Sequence, residues 1–174
     1  VLGFGVWQTL PREAEDPTFH PQLQAAYALL VADGQGGATF GDLTQDLGSL
    51  ARADALIADV LEKHPNSAEA HLHRGLYFIA LREGAEAQAS LERSAELAPE
   101  AAEPRLLLGG LHYTRGDYAA AEREFRRAVE LAPDSDIARH NLGQTLWMLG
   151  REQEALEVYR EKLSVRQSPS LQIL

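Results

Sequence analysis

The stretch that decides the fold is AEPRLLLGGLHYTRGDYAAAEREFRRAVELAPDS, residues 102–135. Its Gly109, Ala121 and Pro133 belong to three series of residues that recur every 34 positions along the chain. The series are Gly41, Gly75, Gly109 and Gly143; Ala53, Ala87, Ala121 and Ala155; and Pro65, Pro99 and Pro133. Self-similarity at this period predicts one helix–turn–helix unit that is repeated and stacked.

Apolar residues at helical spacing predict two helices in each unit. In the quoted unit, Pro104 opens the first helix, Gly116 and Asp117 form the turn, and Pro133 stops the second helix. The recurring glycine and alanine predict the place where the two helices of a hairpin cross closely. A larger residue at Ala121 is therefore expected to force the hairpin open, at a cost of about 1–3 kcal/mol.

The period divides the chain into segments. They are an N-terminal linker at 1–20, an N-terminal helix at 21–33, a degenerate unit at 34–67, three clear units at 68–101, 102–135 and 136–167, and a tail at 168–174. In the degenerate unit we expect a second helix at 50–64, whereas the first helix, near 40–47, is short and polar. Atypical units of this kind are common at the ends of repeat arrays.

The bulk composition is that of a soluble globular protein, with 45% hydrophobic and 24% charged residues. The formal net charge of −10 argues against a nucleic-acid binder, which needs a basic footprint. The chain contains no cysteine, which excludes disulfides and cysteine–zinc sites. No stretch reaches the roughly 18 apolar residues that a membrane span needs. We expect no direct membrane insertion, and the cytoplasmic and extracytoplasmic compartments both stay open.

One unit carries a recognisable pattern of residues, namely Arg105, Leu108-Gly109, Gly116-Asp117-Tyr118, Ala121, Phe125, Ala128 and Pro133. This pattern resembles the tetratricopeptide repeat, which places a bulky residue, Leu-Gly, an aromatic, Ala, an aromatic, Ala and Pro in this order. The three clear units match it without gaps, and the degenerate unit matches more weakly. The chain departs from the family at Arg105 and Arg139, which replace a Trp-like residue. It also departs at Arg82, which replaces the turn glycine, and at Gln167, which replaces the last proline.

The resemblance implies an all-α, right-handed α-solenoid of stacked antiparallel helix hairpins, whose first helices line a concave groove. In this family the groove most often holds an extended peptide or a partner helix. The partner-binding residues so implied are His73, Leu76, Leu107, Gly110, Tyr113, Thr114, His140, Asn141, Gln144 and Trp147.

The groove positions suggest what kind of protein or peptide would bind. They carry no Lys or Arg, so an anionic chaperone tail is not the expected ligand. The early part is acidic through Asp42 and Asp46, which favours an amphipathic or mildly basic segment. Asn141 and Gln144 would bond the ligand's backbone, and Trp147 would anchor it. The alternative is that Trp147 packs between units and Asn141 merely faces solvent.

A second hypothesis is a structural or assembly subunit. Arrays normally end in a helix that covers the last apolar face, and the residues after Pro169 are too few to form one. We therefore expect Leu156, Tyr159 and Leu163 to be open for self-association, for example in a homodimer. The tail would either fold back locally or lodge in a neighbour's groove. The apolar residues 1–7 fit either the end of a membrane anchor, which would tether the chain to a membrane-associated complex, or a segment packed on the first helices.

No arrangement of residues predicts catalysis, a cofactor or a metal site. His71 and His73 are two apart and so point in different directions on a helix, and His112 takes a core position. Gly109-Gly110 lacks the strand, loop and lysine of a phosphate-binding loop. The Arg123, Arg126 and Arg127 cluster alternates with glutamates, as on a solvated ion-paired face. The expectation is a non-enzymatic protein-interaction scaffold.

Overall fold

The computed structural model describes residues 21–31 and 47–166, and every regular element in those ranges is an α-helix. The helices are α1 (Pro21–Val31), α2 (Leu47–Lys63), α3 (Ala68–Ala80), α4 (Gly84–Leu97), α5 (Ala102–Thr114), α6 (Tyr118–Leu131), α7 (Asp136–Met148) and α8 (Glu152–Arg166). The starts of α3, α5 and α7 are 34 residues apart, and so are the starts of α4, α6 and α8. The predicted all-α fold of helix hairpins is confirmed.

The helices divide into two compact units, one with α1–α4 and one with α5–α8. In the first unit, α1 packs against both α2 and α3, and α3 pairs with α4. The helices α1 and α2 are antiparallel, because Gln22 at the start of α1 donates from Nε2 to Oδ2 of Asp59 near the end of α2, at 2.7 Å. The short helix predicted near 40–47 lies outside the described residues, apart from Leu47, which begins α2.

In the second unit, α5 pairs with α6 and α7 pairs with α8. The hairpin α7–α8 packs on the preceding hairpin through contacts of α7 with both α5 and α6. Both hairpins are therefore built on the same plan and share one core. The right-handed superhelix that the resemblance implies stays a prediction.

The turns inside the hairpins α3–α4, α5–α6 and α7–α8 share one geometry, with a left-handed residue after the first helix. In the turn after α5, the Gly116 N–H donates to the Tyr113 carbonyl at 3.0 Å and the Asp117 N–H donates to the His112 carbonyl at 3.0 Å. These two bonds define a Schellman motif, which requires a positive φ at its central residue. The φ angles at this place are 79° at Gly116, 75° at Gly150 and 61° at Arg82. Arg82 thus adopts the backbone conformation that glycine provides in the other two turns.

The recurring glycines on the first helices face large side chains on the second helices. An added Cβ at Gly109 would lie 2.6 Å from the ring of Phe125, and one at Gly75 would lie 2.6 Å from the side chain of Leu91. At Gly143 the neighbour is the ring of Tyr159. The sequence predicted that the two helices of a hairpin would cross where a glycine on the first meets an alanine on the second. Each of these three glycines instead leaves room for a bulky side chain on the second helix. The periodic alanines are themselves fully buried.

Candidate functional site

The predicted groove residues that remain accessible lie on α5 and α7, in the second unit. Trp147 is 54% exposed, and Thr114 and His140 are also exposed. Gly110 has open space beyond it, because an added Cβ would meet no atom within 4 Å. Tyr113 is half-buried. We call the face formed by Gly110, Tyr113, Thr114, His140, Gln144 and Trp147 the α5–α7 surface.

Aromatic rings gather along this surface. The rings of Tyr113 and Tyr118 meet edge to face with centroids 5.3 Å apart, and the rings of His140 and Tyr159 lie 6.2 Å apart. Burial raises the pKa of Tyr159, and the nearby Tyr113 raises it further. These two ring pairs place aromatic side chains on α5, α6, α7 and α8, and aromatic residues of this kind supply anchors in protein interfaces. We call the four residues the aromatic cluster.

Two of the cluster's members were not predicted to share a surface with the groove. Tyr118 begins α6, and its position in the repeat gave no sign of the Tyr113 contact. Tyr159 was predicted to lie on an outer self-association face. Its ring packs over Gly143 and its hydroxyl lies 3.4 Å from the His140 carbonyl, so Tyr159 takes part in the packing of its own hairpin and is half-buried.

The predicted amide pair is split between the interior and the surface. Asn141 is 8% exposed, and its backbone carbonyl accepts a hydrogen bond from the hydroxyl of the buried Thr145 at 2.7 Å. Gln144 is half-buried. Of the two amides, Gln144 is the one that a ligand on the α5–α7 surface reaches without displacing the packing of α7.

The predicted groove residues of the first unit are buried. His73 is 4% exposed and Leu76 is 3% exposed. The His73 ring meets Tyr27 of α1 edge to face at 5.7 Å, and its Nδ1 lies 2.8 Å from the Glu69 carbonyl. Burial lowers the pKa of His73. This histidine therefore forms part of the contact between α1 and α3. Leu107, on α5, is half-buried, and Asp42 and Asp46 lie outside the described residues.

Among the residues whose burial the structure describes, the most exposed large hydrophobic side chains lie on α7 and α8. They are Trp147 (54%), Met148 (48%) and Leu156 (46%). Leu156 was predicted to be open for self-association, and the side chain of Leu163 lies outside the described residues. Met148 was not predicted, although its place beside Trp147 at the end of α7 was a signal in the sequence.

Charged side chains join α6 to the hairpin α7–α8. Glu122 is 8% exposed, pairs with Arg126 and accepts Nη1 of Arg151 at 2.6 Å. Arg151 also donates Nε and Nη2 to the two oxygens of Glu154, at 2.6 and 2.5 Å. These hydrogen bonds lower the pKa of the Glu154 carboxyl. The sequence predicted a solvated ion-paired face here, whereas Glu122 is enclosed at the junction between the hairpins.

The described residues offer little for other chemistry. No group of three or more His, Asp or Glu side chains in residues 21–31 and 47–166 is arranged to hold a metal ion. His71 lies 3.0 Å from the Pro65 carbonyl through Nε2, so it braces the connection before α3. His112, expected in the core, is half-buried. None of the helices described has both the length and the apolar composition to cross a bilayer.

Comparison with known families identifies the class of protein. Residues 39–102, 74–136 and 106–170 each match the tetratricopeptide repeat family. The matches together span most of the chain, so the chain belongs to this family, whose repeats form all-α solenoids and serve as protein–protein interaction scaffolds. No curated protein sequence matches the chain.

Several solved structures share the fold. MamA from Desulfovibrio magneticus RS-1 is 21% identical over 86% of this chain and 76% of its own, with a TM-score of 0.65. A double mutant of MamA RS-1 is 20% identical over 97% of this chain and 84% of its own, with a TM-score of 0.66. A thermophilic TPR protein from Thermus thermophilus is 20% identical over 84% of this chain and 82% of its own, with a TM-score of 0.58. At these identities the similarity is one of fold.

Proposed function

We propose that this protein is a non-enzymatic scaffold that binds an amphipathic or mildly basic segment of a partner protein on the α5–α7 surface. The observations that carry the proposal are the two aromatic ring pairs of the hairpins α5–α6 and α7–α8 and the 54% exposure of Trp147 on α7. A half-exposed tryptophan leaves much apolar area in water, and a partner that covers it gains the corresponding burial energy. The net charge of −10 favours a partner segment that carries positive charge.

The scaffold suits this task because its binding residues sit on packed helices. Leu108 on α5 and Leu142 on α7 are 2% and 5% exposed, so both helices are held by buried apolar side chains. Little ordering of the scaffold is then needed when a segment binds, which reduces the entropic cost of association. Gly110 leaves a shallow gap in the surface, where the backbone of a ligand can approach α5 closely.

A blocking substitution at Gly110 tests the proposal. A side chain added there meets no neighbour, and replacing a helix-interior glycine stabilises the helix by about 0.5–1 kcal/mol. Among peptides selected from a random library against the wild-type protein, the class that binds the α5–α7 surface should therefore lose binding to Gly110→Gln, although this variant unfolds at a higher temperature. Loss of affinity combined with a gain in stability cannot come from unfolding.

A matched control variant is Gln88→Ala on α4, which changes a polar residue in the other unit. Its affinity for the selected peptides should equal that of the wild type. If every selected peptide binds Gly110→Gln and Trp147→Ala as tightly as it binds the wild type, the α5–α7 surface is not a binding site. The partner itself can be identified by affinity capture with wild-type protein, using Gly110→Gln as the negative control.

A second candidate function is favoured by the exposure of Leu156 at 46% and Met148 at 48%. In this alternative the protein is an assembly subunit, and a second copy covers α8. Sedimentation velocity over a range of concentrations should then show a dimer that Leu156→Glu abolishes. A monomer at all concentrations would reject this alternative and leave the scaffold proposal untouched.

A further inference from the structure

A buried arginine on α7 lacks the acidic partner that its repeat equivalent on α5 has. Arg105 on α5 pairs with Glu124 on α6, with Nη1 and Oε2 3.2 Å apart. Shifted by the repeat length of 34, these positions become Arg139 on α7 and Val158 on α8. The arginine is thus repeated in the second hairpin, and the carboxylate is replaced by a valine.

The two hairpins are alike enough for this comparison. The starts of α7 and α8 follow those of α5 and α6 by the same 34 residues. The internal contact also recurs, since Gly143 faces Tyr159 as Gly109 faces Phe125. Position 158 therefore occupies the place on α8 that Glu124 occupies on α6.

Arg139 is left in an unfavourable state. Its residue is 9% exposed, and its Nε is buried without a hydrogen-bond partner in the part of the chain that the structure describes. A buried guanidinium N–H normally binds a carboxylate or a backbone carbonyl, because a buried donor without a hydrogen-bond partner is costly. Native structures contain few such groups, and each calls for an explanation.

We propose that Arg139 is a binding site for a carboxylate supplied by a partner protein. The occupant is an apolar segment that carries one Asp or Glu, laid against α8 beside the apolar, half-buried Val158. Arginine binds carboxylates through two parallel hydrogen bonds, which gives this site both affinity and geometric selectivity. The acid stands alone in the segment, because the net charge of −10 repels a strongly acidic partner.

This site is separate from the α5–α7 surface and does not depend on it. Asn141, Gln144 and Trp147 follow Arg139 on the same helix, but the pairing of Arg105 with α6 places the equivalent arginine toward α8. The prediction that the groove positions carry no Lys or Arg is therefore compatible with a carboxylate site elsewhere on this hairpin.

The first experiment fills the site from within the chain. Val158→Glu restores the missing carboxylate, so we expect a higher urea midpoint than for Val158→Gln, which has the same shape without the charge. In an Arg139→Met background the two variants should unfold at the same midpoint. If Val158→Glu lowers the midpoint relative to Val158→Gln in the presence of Arg139, position 158 does not present a carboxylate to this arginine and the proposal is wrong.

The second experiment uses a phage-displayed library of random peptides, each about 12 residues long, as the probe. We expect a class of peptides with one acidic residue among apolar ones, and replacing that residue by its amide should weaken binding by about tenfold or more. The same loss is expected with Arg139→Met and with Val158→Glu, in which the site is already occupied. Gly110→Gln should leave this class unaffected, which separates it from ligands of the α5–α7 surface. Recovery of no peptide whose affinity depends on Arg139 would overturn the proposal.

Discussion

Replacing Arg82 by glycine should stabilise this protein, although the substitution removes a side chain and adds none. Arg82 has a φ of 61° in a turn where the two equivalent residues are Gly116 and Gly150, with φ angles of 79° and 75°. Its N–H donates to the Ile79 carbonyl at 3.0 Å, and the next N–H, of Glu83, donates to the Phe78 carbonyl at 2.9 Å. The turn therefore holds an L-residue in the left-handed region by the same two hydrogen bonds that the glycines make.

The magnitude follows from two opposing terms. A left-handed conformation costs a residue with a side chain about 1–2 kcal/mol. Part of this stabilisation is offset, because glycine has more conformational freedom in the unfolded chain and loses about 0.5–1 kcal/mol more on folding. The net stabilisation expected for Arg82→Gly is about 0.5–1 kcal/mol, or about 1–4 °C in Tm for a chain of this size.

Urea unfolding followed by far-UV circular dichroism measures this difference, with two kinds of control. Arg82→Ala removes the side chain but keeps the strain, so its midpoint should stay close to that of the wild type. Gly116→Arg and Gly150→Arg should each lose about as much stability as Arg82→Gly gains. Neither creates a clash, because an added Cβ at these glycines meets no atom within 4 Å. A lower midpoint for Arg82→Gly, together with unchanged midpoints for the two glycine variants, would refute the argument from backbone strain.

Three further predictions concern packing, protonation and charge. Gly109→Ala should lower the free energy of unfolding by about 1–3 kcal/mol, because the new Cβ falls 2.6 Å from the buried Phe125 ring. The neighbouring substitution Gly110→Ala should stabilise the protein, and equal effects of the two would contradict the packing described. The protein should be less stable below about pH 6.5, because burial lowers the pKa of His73 and the unfolded chain therefore takes up the proton first. The difference between the urea midpoints at about pH 7.5 and about pH 5.5 should be smaller for His73→Gln than for the wild type. An equal difference would assign the pH effect to other groups. Glu122→Gln removes the negative charge that Arg126 and Arg151 share, so it should lower the urea midpoint more at low than at high salt. A loss of stability that does not depend on salt would mean that the shape of this side chain, and not its charge, matters at this junction.

The period of the sequence was sufficient to predict the hairpins, because it repeats the residues that start, turn and stop each helix. Ser67 and Ser135 show why this works, since each accepts the N–H of the residue three positions on, at 3.2 Å, and so caps the first helix of its unit. Signals of this kind act within a few residues of each other and can be read from a single sequence. The departure at Arg82 was also visible, since a turn glycine was missing from an otherwise regular series.

The candidate site was harder to predict, because exposure depends on which neighbouring helix covers a face. His73 stands at a groove position in its own helix, yet α1 lies over it. Asn141 and Gln144 are three apart and were expected to point the same way, but only Gln144 stays near the surface. The isolated state of Arg139 depends on what is absent 19 positions later, at Val158, and only comparison with the Arg105–Glu124 pair reveals it.

The contact between glycine and its bulky partner has a consequence for how such an array can grow. In all three cases the two residues lie 16 positions apart inside one hairpin, as in Gly75 and Leu91. A duplication of the gene segment therefore copies both members at once, and the new hairpin inherits a complete interior. The ion pair between Glu122 and Arg151 joins different hairpins, so a duplication does not reproduce it in a new place. Copying supplies the hairpins, and later single substitutions at such junctions determine which hairpin can follow which.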